Sequence, residues 1–304
     1  MTSTTTKLPQ AETQFATERA AAIFADYFQA KSSGDADQFV ARYAPQAGSH
    51  SDAVLGLHSP DWDSTSAMFH AVMPNWNGGI SYATRILGDD TSAVVFVTDS
   101  PELFGSELRT ISAVDLTDGK IARFVDYWDG RQMAPEALAG WRVPADQFPS
   151  TFGEETAPST SHDRIGAAVD RLVAALTSAN ASAVGALLSP DAVFEDLTLQ
   201  IALHGSSTIV AGLERATAVL PYGKDVVVRR VLGAGSGGGF EWVNSTNPVA
   251  RGISALTLDG QGHITEITST WDATIIPTET VAEWTRLLQR GEPGATWETS
   301  TPNG

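Results

Sequence analysis

The chain contains no cysteine among its 304 residues. That excludes disulfide bonds, a thiol nucleophile and a thiolate metal site. Basic residues are scarce: 19 Lys and Arg stand against 36 Asp and Glu, a formal net charge of −17. A nucleic-acid partner needs a basic face to neutralise phosphates, and an anionic lipid surface repels such a chain, so neither nucleic acid nor membrane is expected as a partner. No apolar run approaches the roughly 20 residues of a membrane-spanning helix. The opening MTSTTTKLPQAETQ has no apolar segment of the secretory kind, so a soluble, cytoplasmic protein is expected. His50, His58, His70 and His204 fall at no metal-site spacing. The glycine-rich GAGSGGG, Gly233 to Gly239, lies between two predicted strands with no helix start to cradle a phosphate, and reads as a flexible hairpin loop. No metal and no cofactor is expected.

What is present is a repeat. FVDYWDG, Phe124 to Gly130, ends an apolar strand in Trp-Asp, and ITSTWDA does the same at Trp271 and Asp272, 143 residues later. The match extends backwards through ISAVDLTDGKIARFVDYWD and ISALTLDGQGHITEITSTWD, each a strand, a glycine turn and a strand. Tyr43-Ala44-Pro45 pairs with Leu188-Ser189-Pro190, and Ile86-Leu87-Gly88 with Val231-Leu232-Gly233. A period near 145 residues is too long for a solenoid and means a duplicated domain. Two domains are expected, over 10–150 and 158–300, joined by the polar TFGEETAPSTSHD from Thr151. In each, a long amphipathic helix (with Ser161 as a candidate cap in the second) precedes a short helix, a short strand, a third helix and four strands. Helices first and strands after is an α+β order, here a curved antiparallel sheet wrapped around helices to leave a cone-shaped pocket. The outer faces of such sheets need cover, so the copies are expected to meet through their sheets as an internal pseudo-dimer that can remain monomeric.

RLVAALTSANASAVGALLSPDAVFEDL, Arg171 to Leu197, resembles the opening of ketosteroid-isomerase-like domains of the NTF2-like, or SnoaL-like, superfamily: helix, turn, helix, then a strand ending in an E-D motif. The resemblance implies the α+β cone. It also implies cofactor-independent acid–base chemistry on an apolar small molecule of polyketide, terpenoid or steroid type. It places a general base at Asp196, with Ser51 as the equivalent position in the first copy. The oxyanion-hole tyrosine position falls at Leu172 in the second copy and at Tyr27 in the first, and the acid position near Ser254, so each copy carries part of the set. FVDYWD is also similar to the last strand of limonene-epoxide-hydrolase-like domains, which places a water-activating role on Asp126. Asp99 then matches the Asp of an earlier Arg-x-Asp pair whose Arg position is Val97. Tandem copies resemble epoxide-opening cyclases of secondary metabolism.

Read without the resemblance, the residues say the following. Strand alternation puts Phe124, Asp126 and Trp128 on one face, and an acid on an apolar face is either paired or functional; a bulge or edge position is the alternative for Asp126. Asp196 is either that base or a turn acid. Glu241, between Phe240 and Trp242, is a pocket group or solvent-facing. Tyr27 can donate a hydrogen bond or pack in the core, and His50 stands where a pocket mouth is expected. Trp128, Trp271, Phe124, Trp242 and Phe194 are the aromatic candidates for a substrate-shaping wall. With the resemblance added, the function it implies is an isomerase, lyase or cyclase; the alternatives are an epoxide-opening enzyme and a non-catalytic small-molecule binder.

Overall fold

The structure, a computed structural model, describes residues 7–76, 78–157 and 163–290. Strand β1 (Glu12–Ala16) leads into helix α1 (Glu18–Lys31), then α2 (Ala36–Val40), β2 (Ser49–Asp52), β3 (Leu57–Ser59) and α3 (Trp62–Val72). Four strands follow: β4 (Ser81–Gly88), β5 (Ser92–Asp99), β6 (Leu108–Thr117) and β7 (Lys120–Tyr127), with the one-turn helix α4 (Pro101–Phe104) between β5 and β6 and helix α5 (Pro135–Trp141) after β7. The second half repeats the order as α6 (Asp163–Thr177), α7 (Ala181–Gly185), β8 (Leu188–Asp196), β9 (Ile201–His204), α8 (Ser206–Ala216), β10 (Val227–Ala234), β11 (Gly237–Val243), β12 (Arg251–Leu258), β13 (Ile264–Trp271) and α9 (Thr278–Gln289). The α+β order read from the sequence holds in both halves. The Ser161 cap and the expected domain limits at 158 and 300 lie outside the described residues.

The first sheet has the strand order β1-β4-β5-β6-β7-β2-β3 and the second β10-β11-β12-β13-β8-β9. The long strands are antiparallel, but β2 joins β7 and β8 joins β13 in parallel, because a helix-bearing connection separates them. Strand β1, unforeseen in the polar leader, adds a parallel edge to β4. The bends repeat as the sequence does. Register slips at Ala83/Arg85 and Asp115/Leu116 in the first sheet recur at Val228/Arg230 and Thr257/Leu258 in the second. An extra residue on one strand of a pair bends the ladder, so these bulges curl each sheet around its helices.

Each long strand serves two cores. Phe124 turns into the first cone with Phe24, Phe28 and Phe39. Val125 and Tyr127, on the opposite face, join Ile111, Ala113 and Val94 in a cluster that also contains Leu232, Ile253 and Ala255 of the second half. The two sheets therefore pack face to face within one chain. GAGSGGG is part of this surface rather than a flexible loop. Gly237 starts β11, and a Cβ there would stand 2.6 Å from Phe15, so the backbone of the second half comes directly against β1. The tight turn falls at Gly235, with φ +62°.

Charges cross the same interface. Arg85 holds Glu266 of the other half through two bonds of 2.5 and 2.6 Å. The duplicated positions of that pair are Arg230 and Arg123, two cations. Asp115, fully buried, stands between them and accepts from Arg230 Nε at 3.1 Å and from Arg123 at 3.2 Å. Arg123 also reaches Glu241 at 2.7 Å. Removing one partner of a buried ionic network leaves the others uncompensated and costs about 3–5 kcal/mol. Arg123→Met is therefore expected to lower unfolding stability by that order in denaturant titration. Stability equal to the wild-type chain contradicts this account of the interface.

Candidate active site

The first cone holds a cavity of about 110 Å³. Its walls are apolar, among them Leu55, Phe69, Trp76 and Trp128, and its polar groups are Lys31, His50, Asp52, Asp99, Thr110 and Asp126. These groups come from five elements, α1, β2, β5, β6 and β7. Lys31 is the last residue of α1, four residues after Tyr27, and so shares its inward face. Asp52 ends β2 and lies in register with Asp126 on β7. Asp99 ends β5.

Asp126 Oδ1 accepts hydrogen bonds from Ser112 Oγ at 2.5 Å and Thr110 Oγ1 at 3.1 Å. Among the described residues none donates to Oδ2; its neighbour His50 Nε2 stands 3.7 Å away, beyond a hydrogen bond. Burial pushes the Asp126 carboxyl up to about 6, opposed chiefly by nearby Lys31. His50 is driven down to about 3 by burial and then by Lys31, so its imidazole is neutral at pH 7. Its Nδ1 bonds the Tyr43 hydroxyl at 2.9 Å, and Tyr43 meets Tyr27 at 3.0 Å. Burial raises both phenols well above their ordinary value, so they stay protonated. Lys31 Nζ pairs with Asp99 at 3.0 Å, with side chains only 7% and 8% exposed. An ammonium has three N–H groups, so Lys31 keeps donors for a ligand oxygen.

Asp52 is held differently. Oδ2 accepts from Trp128 Nε1 at 2.8 Å, and Oδ1 from the backbone N–H of Val54 and Leu55 at 2.8 and 2.7 Å. Burial and the neighbouring Asp126 push its carboxyl up to about 7. Asp196 repeats the arrangement in the second half. It accepts from Trp271 Nε1 at 3.1 Å, Tyr222 OH at 2.7 Å and Leu199 N at 2.8 Å, and burial lifts it to about 6. The counterpart of Asp196 is therefore Asp52 and not Ser51, a correction of one residue. A one-residue slip reverses the face of a strand residue, and Ser51 turns away to bond His58.

The second cone is filled. Where the first has Tyr27, Lys31, His50, Asp99 and Asp126, the second has Leu172, Leu176, Phe194, Asn244 and Ser269. Leu172, Leu176 and Phe194 belong to one continuous apolar core with Trp242, Tyr222 and Trp271. Ser269 bonds Ser254 at 2.8 Å, as Asp126 bonds Ser112. Helix α9 closes the mouth: Trp284 packs on Trp271 with centroids 5.7 Å apart and is 7% exposed. Its counterpart Trp141 on α5 lines the first cavity and is 42% exposed.

The structure thus gathers Asp126, His50, Asp99 and Trp128 at one cavity, with Tyr27 and Phe124 directly behind His50. Phe124 stacks on Tyr27 and on His50, both at 5.3 Å. Asp196, Trp242, Trp271 and Phe194 lie in the filled cone. Glu241 is in neither cone. Alternation turns Phe240 and Trp242 inward, so Glu241 faces the other sheet, where it accepts from Arg123 and from Tyr127 OH at 2.8 Å. Sequence reasoning missed Lys31, Tyr43 and the role of Asp52. The helical spacing of Tyr27 and Lys31 was the available signal for the lysine. Among the described residues no group of three or more His, Asp or Glu could hold a metal ion, and no helix is long and apolar enough to cross a membrane.

No family model and no curated protein matches the chain. The solved structures it is similar to include NTF2-like and ketosteroid-isomerase-like proteins. A steroid delta-isomerase from Pseudomonas aeruginosa is 18% identical, with 44% of this chain and 94% of that one covered and a TM-score of 0.33. An NTF-2 like protein of unknown function from Burkholderia xenovorans is 18% identical, covering 40% and 93%, with a TM-score of 0.31. A protein with a cystatin-like fold from Silicibacter pomeroyi is 19% identical, covering 42% and 86%, with a TM-score of 0.34.

The two buried aspartates differ in what their removal does. Asp196 satisfies three donors, so Asp196→Ala strands a backbone N–H, an indole N–H and a phenol, at about 1–3 kcal/mol each. That variant is expected to melt markedly lower, in a thermal scan, than the wild-type chain. Asp126 has a raised carboxyl, and a raised acid favours folding below its unfolded value and loses that contribution as pH rises through about 6. Asp126→Asn is therefore expected to be at least as stable as wild type at pH 8 and to lose any advantage at pH 4. A large loss of stability at pH 8 contradicts the unpartnered Oδ2.

Proposed function

We propose that the first cone is the active site of a cofactor-independent isomerase, lyase or cyclase acting by proton transfer on a compact apolar molecule, and that Asp126 is its general base. The observation that carries the reading is the free Oδ2 of Asp126, aimed into an apolar cavity that also holds a cation, Lys31. A base works best with a value near the working pH, and burial brings Asp126 there. A substrate carbonyl placed at the free N–H groups of Lys31 acidifies its α-carbon. Asp126 takes that proton, and the electron pair moves onto the oxygen as an enolate facing Lys31. Return of the proton from Asp126 to another carbon isomerises the substrate; loss of a leaving group instead gives elimination. Neutral His50, held by Tyr43, keeps a polar but uncharged wall beside the base.

The cavity argues for a small substrate. Ordinary ligand pockets begin near roughly 300 Å³, and this one has about 110 Å³. A monocyclic terpenoid or short polyketide fragment suits it better than a steroid, with Trp141 and Met133 as the residues to be displaced at the mouth. Epoxide opening is the second reading. It is favoured by two adjacent carboxyls in register, Asp52 raised to about 7 as acid and Asp126 to about 6 as base.

The two readings call for different probes: cyclohex-3-en-1-one, read by the absorbance of the conjugated enone, and a monocyclic terpene epoxide, read by diol formation. Activity on the enone is expected to rise with pH through about 6, as Asp126 ionises. Asp126→Asn is expected to lower it by ~10²–10⁴-fold with folding retained. Asp196→Ala, compared per folded molecule, is expected to keep it. Full activity in Asp126→Asn contradicts the proposed base. No activity on either probe or related ketones and epoxides, with saturable binding of the same molecules, favours a binding protein.

A further inference from the structure

A second cavity, of about 370 Å³, lies where the two sheets splay apart at one end of their interface. It falls in the range of ligand pockets, and both halves line it. Val54 and Phe148 come from the first; Ala250, Arg251 and Ile275 come from the second. It is separate from the first cone. The turn after Asp52 is the wall between them, with Val54 on this side and Leu55 on the other.

Strand alternation explains why a cation is here. Arg251 shares the face of Ile253 and Ala255, the face of β12 that packs on the first sheet. At Arg251 the guanidinium lies against the rings of Phe148 and Phe152, 5.3 and 4.8 Å from their centroids. It donates one hydrogen bond, to the carbonyl of Pro149 at 3.0 Å. Among the described residues no carboxylate lies within ion-pair distance of it. The other charges nearby are occupied. Arg142 is held by Asp272 at 2.6 Å, Arg229 faces Glu154 at 3.9 Å, and Glu241 and Glu154 are turned to Arg123. Tyr127 OH is committed to Glu241. Arg251 thus keeps N–H groups in a fork that matches a carboxylate, in a half-buried and mostly apolar setting.

We propose that this cavity is a second small-molecule site, and that its ligand is an apolar monocarboxylate whose anion pairs with Arg251 and whose hydrocarbon lies along Phe148, Val54 and Ile275. One cation calls for one negative charge. A dianion such as a phosphate ester would meet Asp272, Glu241 and Glu154 nearby with its second charge unmatched. The site stands on its own geometry and does not depend on the chemistry of the first cone.

The probe is 4-phenylbutyrate, with 4-phenylbutanamide as its neutral counterpart, followed by isothermal titration calorimetry on the full chain. Saturable binding of the acid at one site is expected, with the amide at least tenfold weaker. Arg251→Gln is expected to weaken the acid at least tenfold. Ala250→Trp, which fills the cavity from its exposed rim and leaves Arg251 in place, is expected to do the same, and it serves as the test should Arg251→Gln fail to fold. No saturable binding by the wild-type chain, equal affinity for acid and amide, or undiminished binding in Ala250→Trp overturns the proposal; the last result would place the probe elsewhere, as at Lys31.

Discussion

A strand shows its side chains alternately to two sides, and here both sides are buried. That constraint organises the molecule. β7 must supply Phe124 and Asp126 to the first cone while giving Val125 and Tyr127 to the interface with the second half. β11 must do the same with Trp242 inward and Glu241 outward. With no free face, a polar residue on these strands has to find a partner or a purpose. Most find partners: Arg123, Asp115, Glu241 and Arg230 are joined to one another between the sheets, with Glu241 Oε2 left without a hydrogen-bond partner. Asp126 also keeps one oxygen without a donor, and it lines a cavity that holds a cation, Lys31, which marks the candidate site.

Duplication explains why only the first cone carries such an acid. Both halves keep the same latch, an aspartate at the end of one strand accepting from the indole of a tryptophan at the end of the parallel neighbouring strand, Asp52 with Trp128 and Asp196 with Trp271. The latch fixes the end of each cone whatever the cone contains. Around it the contents diverged. Replacing Lys31 by Leu176 and His50 by Phe194 exchanges polar groups that need hydrogen bonds for apolar bulk that fills space, and Trp284 seals what remains. The same scaffold thus yields one open polar cone and one packed core.

Much of this was legible in the sequence because it rests on period. The repeat of Trp-Asp endings, the order of helices and strands, and the inward face of Asp126 all follow from spacings of residues near in sequence. What was hidden depends on pairing across the sheet. Asp52 gains its role only from lying beside Asp126 on a parallel neighbour, and a one-residue displacement of the repeat there pointed to Ser51 instead. Lys31 ends a helix, and only the fold brings Asp99 to it. Glu241 has the same alternating context as Asp126, and only the second sheet distinguishes an interface acid from a pocket acid. The glycines of 233–239 resemble a loop in composition, yet their lack of side chains is what lets two backbones approach.

The central claim is that burial in the first cone turns one aspartate into a base near neutral pH. The direct measurement is the pH titration of the Asp126 carboxyl carbon by carbon-13 NMR, with the resonance assigned by its loss in Asp126→Asn. The account predicts a midpoint near 6, raised by burial. A midpoint at the ordinary aspartate value of about 4 would show a well-solvated or fully paired carboxylate and would contradict it.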